Sequence, residues 1–386
     1  MKYELEQNYI IELLKCAITN TTPSTPNENL DWDVVFNYAK IHRIVPVLYF
    51  SFQKLPNDCK TKISNLDQYE LAYKSNLVDD ANRENEIAII KNLLVSNDVD
   101  YILLKGSVTK HFYPDTSMRM MSDVDILYRN ADSKEIKGLL ESNGYTQTKS
   151  TPKDAMYLSS NKLVKVEMQQ SLLDDGFTDW LKYLDTIWDR CEKSTDNEYT
   201  MAPEDFYIYH IVHMAKHFIN GGIGLRHILD TWVIKNHYQD LDSEYTKKKF
   251  KELSLDKFEN KMTVLCKYWF EDTIPSDKKS IELLSEYILE NGAFGSTSQQ
   301  SANEAVNNSS TGIREKVFPS KQTMANYYGD IITNHPITIP FYWIRLTFER
   351  LFKNHDKTKS KIKTISNISE TQKEKTKELF EICGLK

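Results

Sequence analysis

The chain has 386 residues, 40% of them hydrophobic and 11% aromatic, which is enough apolar material for two or three packed domains and excludes wholesale disorder. A net charge of −6 argues against a general duplex nucleic-acid binder, which needs a basic face, yet leaves room for a nucleotide held by a few local cations. Five cysteines (Cys16, Cys59, Cys191, Cys266 and Cys383) stand without any Cys-x-x-Cys pairing, which fits a reducing compartment and neither a zinc site nor a disulfide frame.

The first residues, MKYELEQNYIIELLK, carry acids inside their apolar stretch, unlike a signal peptide. No run of about 18 apolar residues follows, so no membrane span is expected and the chain reads as cytoplasmic. Residues 1–66 read as a helical region. Ile10, Leu13, Leu14 and Ala17 keep helical spacing. Asp31 is placed to cap a second helix carrying Val34, Val35, Tyr38 and Ala39, and Pro46 suits the first turn of a third. His42 and Arg43 read as surface or boundary residues.

Residues 67–172 read as a compact core. One long helix is predicted over residues 68–97, with Ile87, Ile90, Leu93 and Leu94 as its buried stripe. A strand over residues 101–105 breaks into Lys105-Gly106-Ser107, a short helical segment follows, and a strand over residues 123–128 opens with Asp123-Val124-Asp125. Side chains at i and i+2 of a strand share a face, so Asp123 and Asp125 project together while Val124 turns into the core. Two carboxylates so placed repel unless a cation lies between them, and Mg²⁺ is the natural occupant. Gly106 allows close backbone approach to a phosphate, and Ser107 opens a helix whose positive end favours anions. Taken singly, the first motif is also a tight turn and the second a capped strand start.

Asp132 and Glu135 form a capping box for the next helix, which Asn143-Gly144 stops. Residues 145–149, 155–159 and 163–169 are strand candidates. In the last, Leu163, Lys165, Glu167 and Gln169 share one face, which has a solvated-face reading of its own. The order of elements predicts an α+β fold: a small mixed β-sheet backed by helices and flanked by N-terminal and C-terminal helical regions.

In the C-terminal region, residues 173–386, Pro203, Glu204 and Asp205 make a favourable first turn. Its helix carries Tyr209, His210, His213, Lys216 and His217. His213 and His217 are one turn apart, but no third ligand is evident, so they read as packing at a helix seam or lining a pocket. Arg226 and Asp230 stand at i and i+4, the spacing of an ordinary salt bridge. Residues 291–311, rich in Gly, Ser, Asn and Gln, read as a flexible loop or lid, aromatic amphipathic segments beyond it as closing the helical bundle, and the Lys-rich residues 356–363 as a solvated connector.

The Gly-Ser, short helix and Asp-x-Asp sequence resembles the nucleotidyltransferase superfamily of DNA polymerase β type. The phrases L-K-G and D-V-D-I-L, with Arg119 before the acidic pair, resemble more specifically a bacterial family of uncharacterised nucleotidyltransferases. That resemblance implies a nucleotidyltransferase core in which Gly106 and Ser107 grip the β- and γ-phosphates of an NTP, ATP among them. Asp123 and Asp125 would bind one or two Mg²⁺, with Mn²⁺ as a substitute. Glu167 takes the position of the third carboxylate, where Asp is more usual, and Gln169 stands where the family shows His. Lys105 is a phosphate candidate or a solvent-facing strand end; Arg119 either offers charge to phosphate or pairs with an acid. The phrase G-x-G-L-R-H-x-L-D resembles the family's helical half and makes Lys216 and Arg226 further phosphate candidates. The implied activity moves an NMP group to a hydroxyl on an unidentified small-molecule, tRNA or protein acceptor, releasing pyrophosphate. The alternatives are a nucleotide-binding scaffold without turnover, or a toxin-type enzyme acting on tRNA or protein. A kinase is disfavoured, since neither a Walker lysine motif nor an HRD and DFG set is present.

Overall fold

The computed structural model describes residues 3–293 apart from 152, 174 and 175, then 295, 299–303, 306, 321, 324, 332, 335–348 and 369–385. The N-terminal region folds as α1 (Glu4–Thr19), α2 (Trp32–His42), α3 (Val45–Gln53) and the single turn α4 (Asn57–Lys60). Ile10, Leu13, Leu14 and Ala17 are buried, as their spacing predicts. The Asp31 carboxylate accepts from the Asp33 and Val34 amides, and Pro46 lies in the first turn of α3. His42 departs from expectation, for it is fully buried. Its Nδ1 accepts the Leu225 amide at 3.2 Å and its Nε2 lies 3.0 Å from the Leu289 carbonyl. A histidine that satisfies backbone groups over 180 residues away leaves no trace in local periodicity.

Helix α5 (Leu66–Ser96) runs unbroken for 31 residues. Ile87, Ile90 and Leu94 of the predicted stripe are buried and Leu93 is half-buried, but Asn76, Asp80, Arg83 and Glu86 are buried along the same helix as well. Asn76, Asp80 and Arg83 hold the segment that leads into the acidic strand, while Glu86 accepts from the Tyr145 hydroxyl. Asp80 accepts from Lys110 at 2.6 Å and from Thr116 at 2.8 Å, Asn76 donates to the Ser117 carbonyl at 2.5 Å, and Arg83 donates to the Met121 carbonyl at 3.1 Å. Lys110 has no exposed surface at all, so its charge is tolerable only because Asp80 and Glu84 both reach it.

Seven strands form one mixed sheet: β1 (Asp100–Leu103), β2 (Val124–Arg129), β3 (Thr146–Ser150), β4 (Asp154–Leu158), β5 (Lys165–Gln169), β6 (Cys191–Thr195) and β7 (Glu198–Met201), in the order β3-β4-β5-β2-β1-β7-β6. β2 pairs antiparallel with β1 and parallel with β5. The hairpin β6–β7 carries the sheet past residue 172, with β7 joining β1 in parallel. Its strands are short, polar and largely exposed, so they lack the apolar alternation that marked the others. Helix α7 (Ser133–Ser142) starts in the Asp132–Glu135 capping box and packs Ile136 and Leu140 against one face of the sheet beside Ile87, Ile90 and Leu94 of α5.

Short helices α6 (Gly106–Thr109) and α8 (Thr178–Leu184) flank the sheet, and the C-terminal region continues as α9 (Pro203–Asn220), α10 (Leu225–His237), α11 (Ser243–Glu252), α12 (Asp256–Phe270) and α13 (Lys278–Asn291), then the helices Ile339–Phe348 and Glu370–Cys383. One continuous apolar core joins the N-terminal helices, Ile102, Leu104 and Leu127 of the sheet region, and the C-terminal helices. Within residues 291–311, Ala293 is buried and residues 299–303 are helical, with Asn303 donating to the Phe218 and Ile219 carbonyls. Residues 294, 296–298, 304–305, 307–311 and the Lys-rich 356–363 lie outside the described residues. Among the described residues no helix is long and apolar enough to cross a membrane.

Candidate active site

The sheet register creates the site. Asp125 of β2 lies directly beside Glu167 of the parallel neighbour β5. The turn from β1 into α6 is held against β2 by the Leu104 amide, which donates to the Asp125 carbonyl at 3.0 Å. Val124 is fully buried, so Asp123 and Asp125 share the opposite face, as the i and i+2 argument requires. Asp123 lies one residue ahead of the strand's first paired residue. Asp123, Asp125 and Glu167 all line a cleft of about 310 Å³ whose far wall is made by α9 and α10.

The cation nearest the acids is Lys105. Its Nζ donates to Asp125 Oδ1 at 2.6 Å and stands 3.8 Å from Glu167 Oε2. Gln169 Nε2 donates to the same Asp125 oxygen at 2.9 Å, so the amide found in place of an imidazole still contacts the acidic group. Lys105 has φ +48° and ψ −122°, a region L-residues avoid, at a cost of about 1–3 kcal/mol. Burial works against the Lys105 charge, but Asp125 and Glu167 outweigh it and hold the ammonium above the ordinary lysine range. Burial likewise opposes the Asp125 charge, yet Lys105 and the hydrogen bond from Glu167 keep Asp125 below the usual carboxylate range. Glu167 is pushed up by burial and by that hydrogen bond, so it keeps a proton that Asp125 has lost. Burial and the Asp125 charge also raise Asp123, which accepts from Ser122 Oγ at 2.8 Å.

Of the predicted phosphate cradle, Gly106 lines the cleft and Ser107 does not. Ser107 is buried, and its hydroxyl finds no hydrogen-bond partner. Gly106 has a reason to be glycine besides phosphate approach: a Cβ there would stand 2.3 Å from Arg119 Nη1 and 3.0 Å from Met121 Cγ. Arg119 lines the cleft, but its guanidinium is gripped by Asp230, with Nε 2.9 Å from Oδ1 and Nη2 2.8 Å from Oδ2. The structure therefore gives Arg119 the second of its two readings, pairing with an acid. The i, i+4 bond between Arg226 and Asp230 gives way to this longer-range pair, which Tyr113 supplements with a 2.7 Å hydrogen bond to Asp230 Oδ1. Arg226 Nη1 instead reaches the Met120 carbonyl at 3.4 Å, and burial together with Arg119 pushes Arg226 down to about 10.

Lys216 and Arg226 both line the cleft, as do His210, His213, His217 and His227. The His213 and His217 ring centres are 4.5 Å apart, and His210 Nε2 lies 2.8 Å from Thr231 Oγ1. Burial, the largest cause in each case, pushes His210 down to about 4 and His213 and His227 well below the ordinary range, so these three imidazoles are neutral near pH 7.

As the side chains stand, no three His, Cys, Asp or Glu residues among the described residues close around a metal position. The donor chemistry nevertheless fits a hard divalent cation. Asp123, Asp125 and Glu167 offer only carboxylate oxygens to one cleft, and two of them already share a positive charge, that of Lys105. Mg²⁺ or Mn²⁺ held there would replace the ammonium and the Glu167 proton as the neutralising charge.

Sequence reasoning missed several residues. Tyr209 is buried in the cleft wall with an unpartnered hydroxyl, close enough to Lys105, Asp125 and Glu167 to feel their charges. Its position on the α9 face that bears His213 and Lys216 was the available signal. Tyr113 and the buried polar groups of α5 carried none, because polar residues on a long helix read as solvent-facing. A second cavity of about 230 Å³ adjoins the cleft, with Lys105, Glu167, His213 and Lys216 lining both.

A family model described as "uncharacterised nucleotidyltransferase" matches residues 28–271, a span holding every cleft residue named above. Neither the curated proteins nor the solved structures gave a match.

Proposed function

Because the chain belongs to the uncharacterised nucleotidyltransferase family, we propose that it transfers an NMP group from an NTP to an acceptor hydroxyl, using Mg²⁺ and releasing pyrophosphate. The observation that carries this reading is the gathering of Asp123, Asp125 and Glu167 in one cleft, beside the start of α6 and facing Lys216 and Arg226. Asp123, Asp125 and Glu167 would hold the metal, which when bound supplies Lewis-acid polarisation of the phosphate and neutralises its charge. Lys216 and Arg226 place positive charge where a triphosphate tail would lie, and Gly106 lets the chain approach it closely.

In the transfer step the acceptor oxygen attacks the α-phosphorus. The bond from that phosphorus to the β-phosphate bridging oxygen breaks, and pyrophosphate leaves with the electron pair. The acceptor's proton passes to an ionised Glu167, which must first give up the proton it carries in the ligand-free protein. The acceptor is a small molecule, a tRNA or a protein hydroxyl. ATP is the first donor to try.

The test incubates the protein with Mg²⁺ and NTP labelled at the α or the γ position, with cell extract as the acceptor pool. Label retained from α alone supports nucleotidyl transfer; retention from γ overturns it. A second reading, a nucleotide-binding protein without turnover, draws on the Lys105–Asp125 contact, which neutralises that acid with no metal at all. Tight NTP binding with no product from any acceptor pool would select it.

A further inference from the structure

We propose that Lys105 is a displaceable counter-ion of the acidic cluster: its ammonium and a divalent metal compete for Asp125 and Glu167, and a bound triphosphate draws the ammonium away, so that metal and nucleotide bind cooperatively. The inference deepens the transferase reading and rests on it for the metal.

Three observations carry it. First, Nζ lies 2.6 Å from Asp125 Oδ1 and 3.8 Å from Glu167 Oε2, so the ammonium already occupies two of the carboxylates that would hold the metal. A monovalent and a divalent cation cannot share two carboxylates at such range without strong repulsion, so one excludes the other. Secondly, the Lys105 backbone is held at φ +48° and ψ −122°, where glycine would sit without strain. A long cationic side chain kept at such a position points to a requirement for its charge there. Thirdly, Lys105 lines both the main cleft and the adjoining cavity. The residue therefore borders both spaces, and a polyanion in the cleft gives its ammonium somewhere to go. A nucleotide that removes Lys105 from Asp125 raises metal affinity, and by linkage the metal raises nucleotide affinity by the same factor.

The experiment measures Mn²⁺ affinity by calorimetry and by the electron paramagnetic resonance of free Mn²⁺, without nucleotide, for the wild type, Lys105→Met and Lys105→Arg. Lys105→Met should bind Mn²⁺ at least tenfold more tightly than the wild type, and Lys105→Arg, which keeps the charge, should stay within about threefold of it. An ATP analogue with a methylene bridge between the α and β phosphorus should tighten Mn²⁺ binding in the wild type several-fold, after correction for chelation by the nucleotide, and should do so less in Lys105→Met. Should Lys105→Met fold poorly, Lys105→Gln takes its place in both measurements, and absence of the coupling in the wild type overturns the proposal by itself. Equal or weaker Mn²⁺ binding by a folded Lys105→Met overturns the competition while leaving the transferase reading intact. Failure of all three proteins to bind Mn²⁺, with or without the analogue, sinks the metal-dependent reading and this proposal together.

Discussion

Arg119 and Asp230 stand 111 positions apart in the chain yet meet in a two-pronged ion pair, 2.9 and 2.8 Å long, that ties the segment entering β2 to helix α10. Both are buried, and Gly106 lies against the guanidinium. This clamp sets the distance between the acidic wall of the cleft and its basic one.

Breaking the clamp from either side leaves a buried charge uncompensated. Arg119→Met or Asp230→Asn should cost about 3–5 kcal/mol in urea unfolding. The double variant should lose less than the sum, because neither charge is then stranded. Additive losses would show that the two side chains do not depend on each other.

Glycine at position 106 follows from the same clamp. Gly106→Ala would drive a methyl group into Arg119 and should destabilise the fold by about 1–3 kcal/mol. Gly138→Ala, in an exposed turn of α7 with nothing within 4 Å of the new methyl, should stabilise it by about 0.5–1 kcal/mol. Thermal melting of the two variants side by side checks the contrast.

The two aspartates should part company in stability while agreeing in activity. Asp123 is raised by burial and by Asp125, so its charge is unfavourable in the metal-free protein. Asp123→Asn should leave the melting temperature in EDTA unchanged or higher. Asp125→Asn removes the closest partner of Lys105 and should cost on the order of 3 kcal/mol. Both variants should lose nucleotidyl transfer in the α-label assay.

Glu167 should make the metal-free protein sensitive to pH. Its folded pKa is pushed up to about 8, so above the ordinary carboxylate range the folded state binds a proton that the unfolded state has released. Stability therefore falls as pH rises from that range to about 8, with Asp123 adding in the same direction, and levels off beyond. Asp125, held low, acts only in acid: its contribution is lost as pH falls through its depressed pKa. Glu167→Gln should flatten the neutral slope, as read from urea midpoints in EDTA. Metal binding must displace the same proton, so Mg²⁺ affinity in the wild type should climb with pH up to about 8. A flat affinity profile would remove Glu167 from the ligand set.

The hydroxyl of Tyr209 contributes nothing visible to the ligand-free fold. Tyr209→Phe should change unfolding free energy by less than about 0.5 kcal/mol, or raise it, because an unpartnered buried hydroxyl costs desolvation without return. A loss above about 1 kcal/mol would reveal a partner for that oxygen.

Much of this molecule is legible without coordinates. The Asp132–Glu135 box, Asp31 at its cap and Pro46 and Pro203 in first turns are local chemistry, decided within four residues of each other. The alternation of β2 and β5 predicts which side chains leave the core, and so puts Asp123, Asp125 and Glu167 on outward faces before any strand order is known. The α+β architecture follows from the order of those elements, and the resemblance to the family rests on the Lys105-Gly106-Ser107 and Asp123-Val124-Asp125 motifs. The hairpin β6–β7 escaped because short strands with few apolar residues carry no periodic signal.

Partnership is a different matter. Periodicity states which way a side chain faces, not which residue it meets. The sequence alone placed Arg226 beside Asp230 and a cation beside a phosphate. The fold gave Asp230 to Arg119, Asp125 to Lys105 and the His42 ring to two distant helices. In a low-dielectric interior a charge is bound by whatever opposite charge the packing brings within about 3 Å. That choice belongs to the three-dimensional arrangement, because contacts over a hundred residues apart are fixed only when the sheet and helices close on one another.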